Sequence, residues 1–241
     1  MIPQKLKKLM VPIIMTGLSF LLAILLYFFV TWQSANPYIW RGILFFIPCF
    51  CFGLITYLAY IEKISRLCSI ILSLCLAVVS IVAASGLLVY LSIDAATTTT
   101  TEIKKYERVL RISGITEEFQ PNIFPAEIPA DAYDVNFSYH PAFMMGGEEL
   151  MLEFKADADK INSYKKEFEA NAAWIGNGPN TYAEDYGIFS GTLTSFNLPY
   201  DATIYVISAT PSHKDDWNHG KRLLTAISIS ENYVLFYAEK W

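Results

Sequence analysis

Residues 67–93 read LCSIILSLCLAVVSIVAASGLLVYLSI, and the chain then turns at once to DAATTTTT at 94–101. The first stretch runs for about 27 residues without a charged side chain. At about 1.5 Å of rise per helical residue it can cross a hydrocarbon layer of about 30 Å. A helix in a soluble core would carry a polar stripe every few residues, and this stretch has none. Moving back along the chain, Gly42–Ile61 and Met10–Val30 are two further uncharged runs of about 20 and 21 residues. The expected architecture is three transmembrane α-helices followed by an α+β domain with a mainly antiparallel sheet.

Charge divides the chain at the same place. Residues 1–93 hold six bases (Lys5, Lys7, Lys8, Arg41, Lys63 and Arg66) against one acid, Glu62. Residues 94–241 hold 12 bases against 22 acids. The two parts are therefore +5 and −10, consistent with the net charge of −5. The predicted organisation is a transmembrane region at 1–93, a Thr-rich linker at 94–101 and a soluble domain at 102–241. The first run has the basic start of a secretory signal. It is longer than a signal core, however, no A-x-A pattern follows, and Thr31-Trp32-Gln33 is a poor cleavage site, so a retained anchor is expected.

Basic residues near helix ends set orientation. The N-terminal lysines with Lys63 and Arg66 oppose Arg41 alone, which favours a cytoplasmic N-terminus and an extracytoplasmic C-terminal domain in the cell membrane. Lys104, Lys105, Arg108 and Arg111 also follow the third run and would tie the count. The first helix dominates as a rule, and Asp94–Thr101 separates those bases from the membrane. Trp32, Tyr38, Trp40 and Tyr90 belong to one interfacial belt, Tyr57 and Tyr60 to the other. No ionisable residue lies within a run, which disfavours a proton relay or ion pathway. Ser73, Ala77, Ser80 and Ala84 share one helix face and admit a close neighbour. That neighbour is either another helix of the same unit or a membrane partner or second copy. All four cysteines (Cys49, Cys51, Cys68 and Cys75) fall in the apolar part and read as small buried side chains. An extracytoplasmic domain without cysteine fits a bacterial surface better than an animal secretory route.

In the soluble part, Glu102–Ser113 has helical spacing at Ile103, Tyr106, Val109 and Leu110. Pro121, Pro125 and Pro129 forbid a regular helix over Gln120–Ala130, and Phe119, Ile123, Phe124 and Ile128 are expected against the core. Tyr133, Val135, Phe137 and Tyr139 alternate as one face of a strand; Leu150, Leu152 and Phe154 do so in Glu148–Lys155. Ala156–Ala173 is a predicted helix with Asp157 or Asp159 as cap and Ile161, Tyr164, Phe168 and Ala172 as its apolar stripe. Gly176–Ser195 reads mostly as loop. Ala202–Ala209, Leu223–Ile229 and Tyr233–Ala238 read as strands, the last two as a hairpin.

Several local strings carry a resemblance. They are Ile123-Phe124-Pro125-Ala126-Glu127-Ile128-Pro129, Phe137-Ser138-Tyr139, Gly146-Gly147, Asp216-Trp217-Asn218-His219-Gly220-Lys221 and Tyr237-Ala238-Glu239-Lys240-Trp241. Over roughly residues 105–241 the chain resembles an uncharacterised group of membrane-anchored proteins from clostridia and related Gram-positive bacteria. The resemblance implies a bacterial surface location and carries no activity.

Candidate chemistry is sparse. His213, Asp216 and His219 are the candidate metal ligands, in a run that also holds Asp215. Their spacing matches no zinc signature, and Lys214 and Lys221 oppose a cation. The alternative is a solvated loop with Trp217 packed down. Ser190, Gly191 and Ser195 build no G-x-S-x-G elbow, and Gly176-Asn177-Gly178 lacks the lysine of a phosphate loop. Glu117-Glu118 and Glu148-Glu149 are adjacent pairs of the solvated kind, unlike the separated groups acid–base chemistry needs. No cofactor is expected. The lipid bilayer is the expected partner, and the acidic soluble part disfavours nucleic acid. Two readings follow: a membrane-anchored extracytoplasmic binding or interaction module, sensory or accessory, or a metal-dependent surface hydrolase using the His213–His219 loop with His140.

Overall fold

The computed structural model describes residues 4–115, 119, 122–143, 147–178, 180–181, 183, 186, 193, 196–210 and 220–241, with backbone alone for 4–8. The chain forms two compact units, 1–95 and 96–241.

The first unit contains three helical segments long and apolar enough to cross a membrane: Leu9–Trp32, Ile39–Tyr60 and Arg66–Thr97. Helix α1 spans Gln4–Trp32. The second segment is broken into α2 (Ile39–Gly42), a 3-10 turn (Ile43–Phe46) and α3 (Ile47–Tyr60). The break precedes Pro48, which has no N–H and crowds the carbonyl of Leu44. Helix α4 spans Arg66–Thr97. In lipid each polar group must find an internal partner. Thr16, Thr31 and Thr56 accordingly donate back to the carbonyls of Pro12, Tyr27 and Phe52 at 2.7–2.9 Å. Helix α3 ends with Glu62 in the left-handed region (φ 60°). Glu62 N–H reaches the Ala59 carbonyl and Lys63 N–H the Leu58 carbonyl, a Schellman closure. Arg41 bonds Asp94 at 3.0 Å and lies over the rings of Tyr38 and Tyr90, tying the second segment to the end of α4. The small-residue face of α4 turns into the unit. Ser73 is fully buried, and Ala77, Ser80 and Ala84 line an apolar gap of about 190 Å³ together with α1 and α3 side chains.

Two features of the predicted linker change. Asp94–Thr97 form the last turn of α4, and Thr100 exchanges backbone hydrogen bonds with Tyr139 at 2.9 Å. The apolar run fixes where lipid contact ends, but a helix continues while its backbone bonds continue.

The second unit starts with a 3-10 turn (Ile103–Lys105) and α5 (Tyr106–Ile112). Six strands follow among the described residues: β1 (Tyr133–His140), β2 (Glu148–Lys155), β3 (Trp174–Asn177), β4 (Thr203–Thr210), β5 (Lys221–Ser228) and β6 (Tyr233–Lys240). Helix α6 (Ala158–Asn171) separates β2 from β3. All pairings are antiparallel, in the order β1-β2-β6-β5-β4-β3. The α+β class with an antiparallel sheet is therefore what the chain forms. Helix α6 carries the chain from β2, second from one edge, to β3 at the other.

Directly opposed residues of antiparallel strands share a face. One cross-strand row is Phe137, Leu152, Phe236, Thr225 and Tyr205, all buried. Phe236 is the hub of this face, with the rings of Phe124, Phe154, Tyr164 and Phe168 at 5.3–6.1 Å. All four partners come from predicted positions: the alternating face of the second strand, the helix stripe and the Pro-rich segment. The other face carries Met151, Tyr237, Leu224, Val206 and Trp174, covered by Tyr186, Leu193, Phe196 and Leu198. Strands β5 and β6 are thus buried on both sides.

Four expectations need correction. Trp174–Asn177 is a strand, although the loop was expected to start at Gly176; four residues with a glycine among them give too short a pattern to read. Helix α6 stops at Asn171, because Ala172 turns extended (ψ 132°) to enter β3. Asp157 holds the cap position but makes no side-chain capping bond. Tyr133 does not share the face of Phe137. A bulge at Asp134 (φ 52°) shifts the register, so Tyr133 pairs with Lys155 and is exposed.

Phe236→Ala removes the ring around which four others pack. We expect a loss of about 3–5 kcal/mol, against a total stability of about 5–15 kcal/mol for a typical domain. Thermal unfolding of the purified full-length chain, followed by circular dichroism, should show the β transition far below wild type. Ile229→Ala, at a 40 % exposed position, should leave it in place.

Candidate functional site

At one end of the sheet, β1 and β6 finish while β2 and β5 begin. The register there aligns His140 with Glu149, Glu149 with Glu239, and Glu239 with Arg222. Four strands therefore present His, Glu, Glu and Arg in one row. These four, with Gly147, Glu148, Lys240 and Trp241, line a cleft of about 360 Å³.

Trp241 is seated by glycines. Gly220 N–H donates to the Trp241 carbonyl at 2.9 Å, and Trp241 N–H returns the bond at 3.0 Å. A Cβ on Gly220 would lie 2.4 Å from the Trp241 ring, and one on Gly147 would lie 2.6 Å from the Lys240 carbonyl oxygen. Neither position accepts a side chain without displacing the end of β6.

The two opposed carboxylates differ in surroundings. Glu239 accepts from Arg222, whose Nε lies 2.7 Å from Oε1, and from the Tyr237 hydroxyl at 2.6 Å on Oε2. Arg222 also stands over the Trp241 ring, 5.7 Å from its centroid. Glu149 has no hydrogen-bond donor among the described residues. Burial and the neighbouring charge of Glu239 hold its carboxyl above the usual range, while His140 pulls the other way. His140 Nδ1 lies 3.0 Å from the Thr99 hydroxyl. Burial, then the charge of Glu239, pushes the Tyr237 phenol far up, so it stays a donor.

Glu148 takes no part in that row. Strand alternation turns it to the opposite face, where it is buried and accepts from the Tyr139 hydroxyl (2.9 Å) and the Gly114 N–H (3.2 Å). Reading Glu148-Glu149 as one solvated pair is thus corrected. The pair that matters is Glu149 with Glu239, distant in sequence and opposed across the β2–β6 ladder. Alternation in Glu148–Lys155 separates the two glutamates, but the partner strand is not visible locally.

His213, Asp216 and His219, like Ser190, Gly191 and Ser195, lie outside the described residues. The flanks of the histidine segment, Thr210 and Lys221, are cross-strand partners at this same end. Among the described residues no group of three His, Cys, Asp or Glu side chains could hold a metal ion. Of the strings quoted from the sequence, Gly147, Glu239, Lys240 and Trp241 line this cleft, while Gly220 and Tyr237 bond to its lining residues. Chemically, the arrangement is a rigid, acceptor-rich hollow with an aromatic wall, suited to a donor or cationic group beside Glu149. Comparison with protein families, curated proteins and solved structures finds no match for the chain.

A carboxyl whose folded pKa is raised favours the fold while protonated and loses that contribution as pH rises through its titration. Glu149 therefore lowers stability as pH climbs above the ordinary glutamate value of 4.5. We expect Glu149→Gln to raise the melting temperature at pH 7 and to lose that advantage below pH about 4. Melting curves of both proteins from pH 3.5 to 8 would show it; a constant difference across the range would remove Glu149 as the titrating group.

Proposed function

We propose that this protein is a bacterial cell-surface membrane protein whose C-terminal unit is an extracytoplasmic binding module, acting as a sensory or accessory component. The observation that carries this reading is the strand-end cleft. Its lining side chains are fixed by four strands and by the seat of Trp241, so the hollow is preformed. Glu149 leaves acceptor capacity open, and Glu239, already bonded to Arg222 and Tyr237, holds the charge beside it. Such a cleft favours a ligand that brings donors or positive charge.

The extracytoplasmic side is supported by the lysines of the N-terminus with Lys63 and Arg66, against Arg41 at the start of the second span. The resemblance to membrane-anchored proteins of Gram-positive bacteria supports the same location. The excess of acids in residues 94–241 supports a ligand other than nucleic acid or an anionic lipid surface.

Protease treatment of intact cells carrying a C-terminal tag tests the location. Loss of the tag without lysis is expected; protection until lysis would put the module in the cytoplasm. In the same cells, a photo-crosslinking residue in place of His140 should give discrete adducts that vanish with Trp241→Ala. The same probe at Lys166, on the exposed side of α6, should give none. Equal patterns at both positions would remove the cleft as the receptor.

A further inference from the structure

At the other end of the sheet a second hollow, of about 400 Å³, is lined by Asn177, Gly178, Asn180, Tyr200 and Asp201. Asn177 ends β3 opposite Thr203, which starts β4. Gly178 then takes a left-handed conformation (φ 79°) and donates its N–H to the Ala202 carbonyl at 2.8 Å. The turn from Pro199 to Ala202 is closed by the Ala202 N–H on the Pro199 carbonyl at 3.0 Å. Tyr200 and Asp201 are its two central residues.

Tyr200 is 88 % exposed, while no other large apolar side chain described in the soluble unit exceeds 49 %. Asp201 is held in place by the Ser228 hydroxyl at 2.7 Å. Hydrogen bonds from Ser228 and then Ser230 keep its carboxyl below the usual range, so it stays an acceptor at neutral pH. The amides of Asn177 and Asn180 each offer both donors and an acceptor.

The lining decides the ligand class. Among the described residues the lining has no lysine, arginine or histidine to neutralise a phosphate or carboxylate. Among them it has one carboxylate, far short of the roughly six to eight oxygens that calcium takes. None of the described lining residues is aliphatic. What remains is a neutral ligand with many hydroxyls and one apolar C–H face.

We propose that this hollow is a saccharide-binding subsite, in which Tyr200 packs against the C–H face of a sugar ring while Asn177, Asn180 and Asp201 bond its hydroxyls. The site is separate from the strand-end cleft and does not depend on what that cleft binds. The sugar would come from an insoluble wall glycan or from a free oligosaccharide, which share this chemistry.

The test uses the full-length chain in lipid nanodiscs, since alkyl-glycoside detergents would compete. One arm titrates a soluble β-1,4-linked N-acetylglucosamine tetramer by calorimetry. The other measures co-sedimentation with purified bacterial cell-wall glycan. Binding in both arms assigns the site to short oligosaccharides, and binding to the wall alone assigns it to the polymer. In either case Tyr200→Ala should weaken binding about tenfold, and Tyr200→Phe should preserve it. The proposal is overturned if neither probe binds, if Tyr200→Ala binds like wild type, or if Tyr200→Phe loses as much as Tyr200→Ala. Because the ring is almost wholly exposed, these variants should keep the wild-type melting temperature, which circular dichroism checks.

Discussion

The soluble unit depends on the antiparallel pairing of β2 with β6. Glu148–Lys155 pairs residue for residue with Tyr233–Lys240. Without it, β1–β2 would be an isolated hairpin and β3–β6 a separate meander. With it, β6 becomes an interior strand beside β5, and both can be buried on two faces. The same ladder puts Leu152 against Phe236 in the aromatic core and Glu149 against Glu239 in the cleft. Core and site are therefore one register. A slip of one residue would turn Glu149 toward α6 and Phe154 toward the opposite face, which the buried aromatic cluster forbids.

That register imposes a cost at the cleft. Like charges directly opposed on neighbouring strands destabilise a sheet. The fold answers on one side only: Arg222 and Tyr237 satisfy Glu239, and the Trp241 ring faces Arg222. Among the described residues, Glu149 receives only the attraction of His140. A sheet built for stability alone would place a neutral or basic residue at position 149. Local rules tend to be broken where a protein must meet something else, and the opposed carboxylates of Glu149 and Glu239 make the cleft a candidate for such a place.

Legibility followed the range of the interactions involved. The three spans could be read from sequence because lipid acts on every residue of a helix alike, so apolar length alone reports them. The strands of Tyr133–His140 and Glu148–Lys155, the stripe Ile161, Tyr164 and Phe168, and the terminal hairpin could be read because alternation and helical spacing are local. Trp174–Asn177 was illegible because its strand state comes from pairing with β4. The bulge at Asp134 was illegible because nothing in Tyr133–Tyr139 interrupts the alternation. The cleft was illegible because its parts lie on four strands, brought together by pairings that close long loops. Its local traces in the sequence are Gly147, Gly220 and Trp241.

The two hollows described above sit where strands stop, and the reason is the same at each end. Along the middle of the sheet each face is covered, by α6 and the Pro-rich segment on one side and by Phe196 and its neighbours on the other. Beyond the last ladder bond, alternation no longer sends side chains into cover, and backbone must be closed by turns or glycines. At one end Gly147 and Gly220 let Trp241 fold against the strand tips. At the other, Gly178 and the Pro199–Ala202 turn hold Tyr200 outward. The charged row at the first end, and the amides with a single carboxylate at the second, give the two hollows different chemical preferences. One sheet thereby separates the two hollows while its core holds both in position.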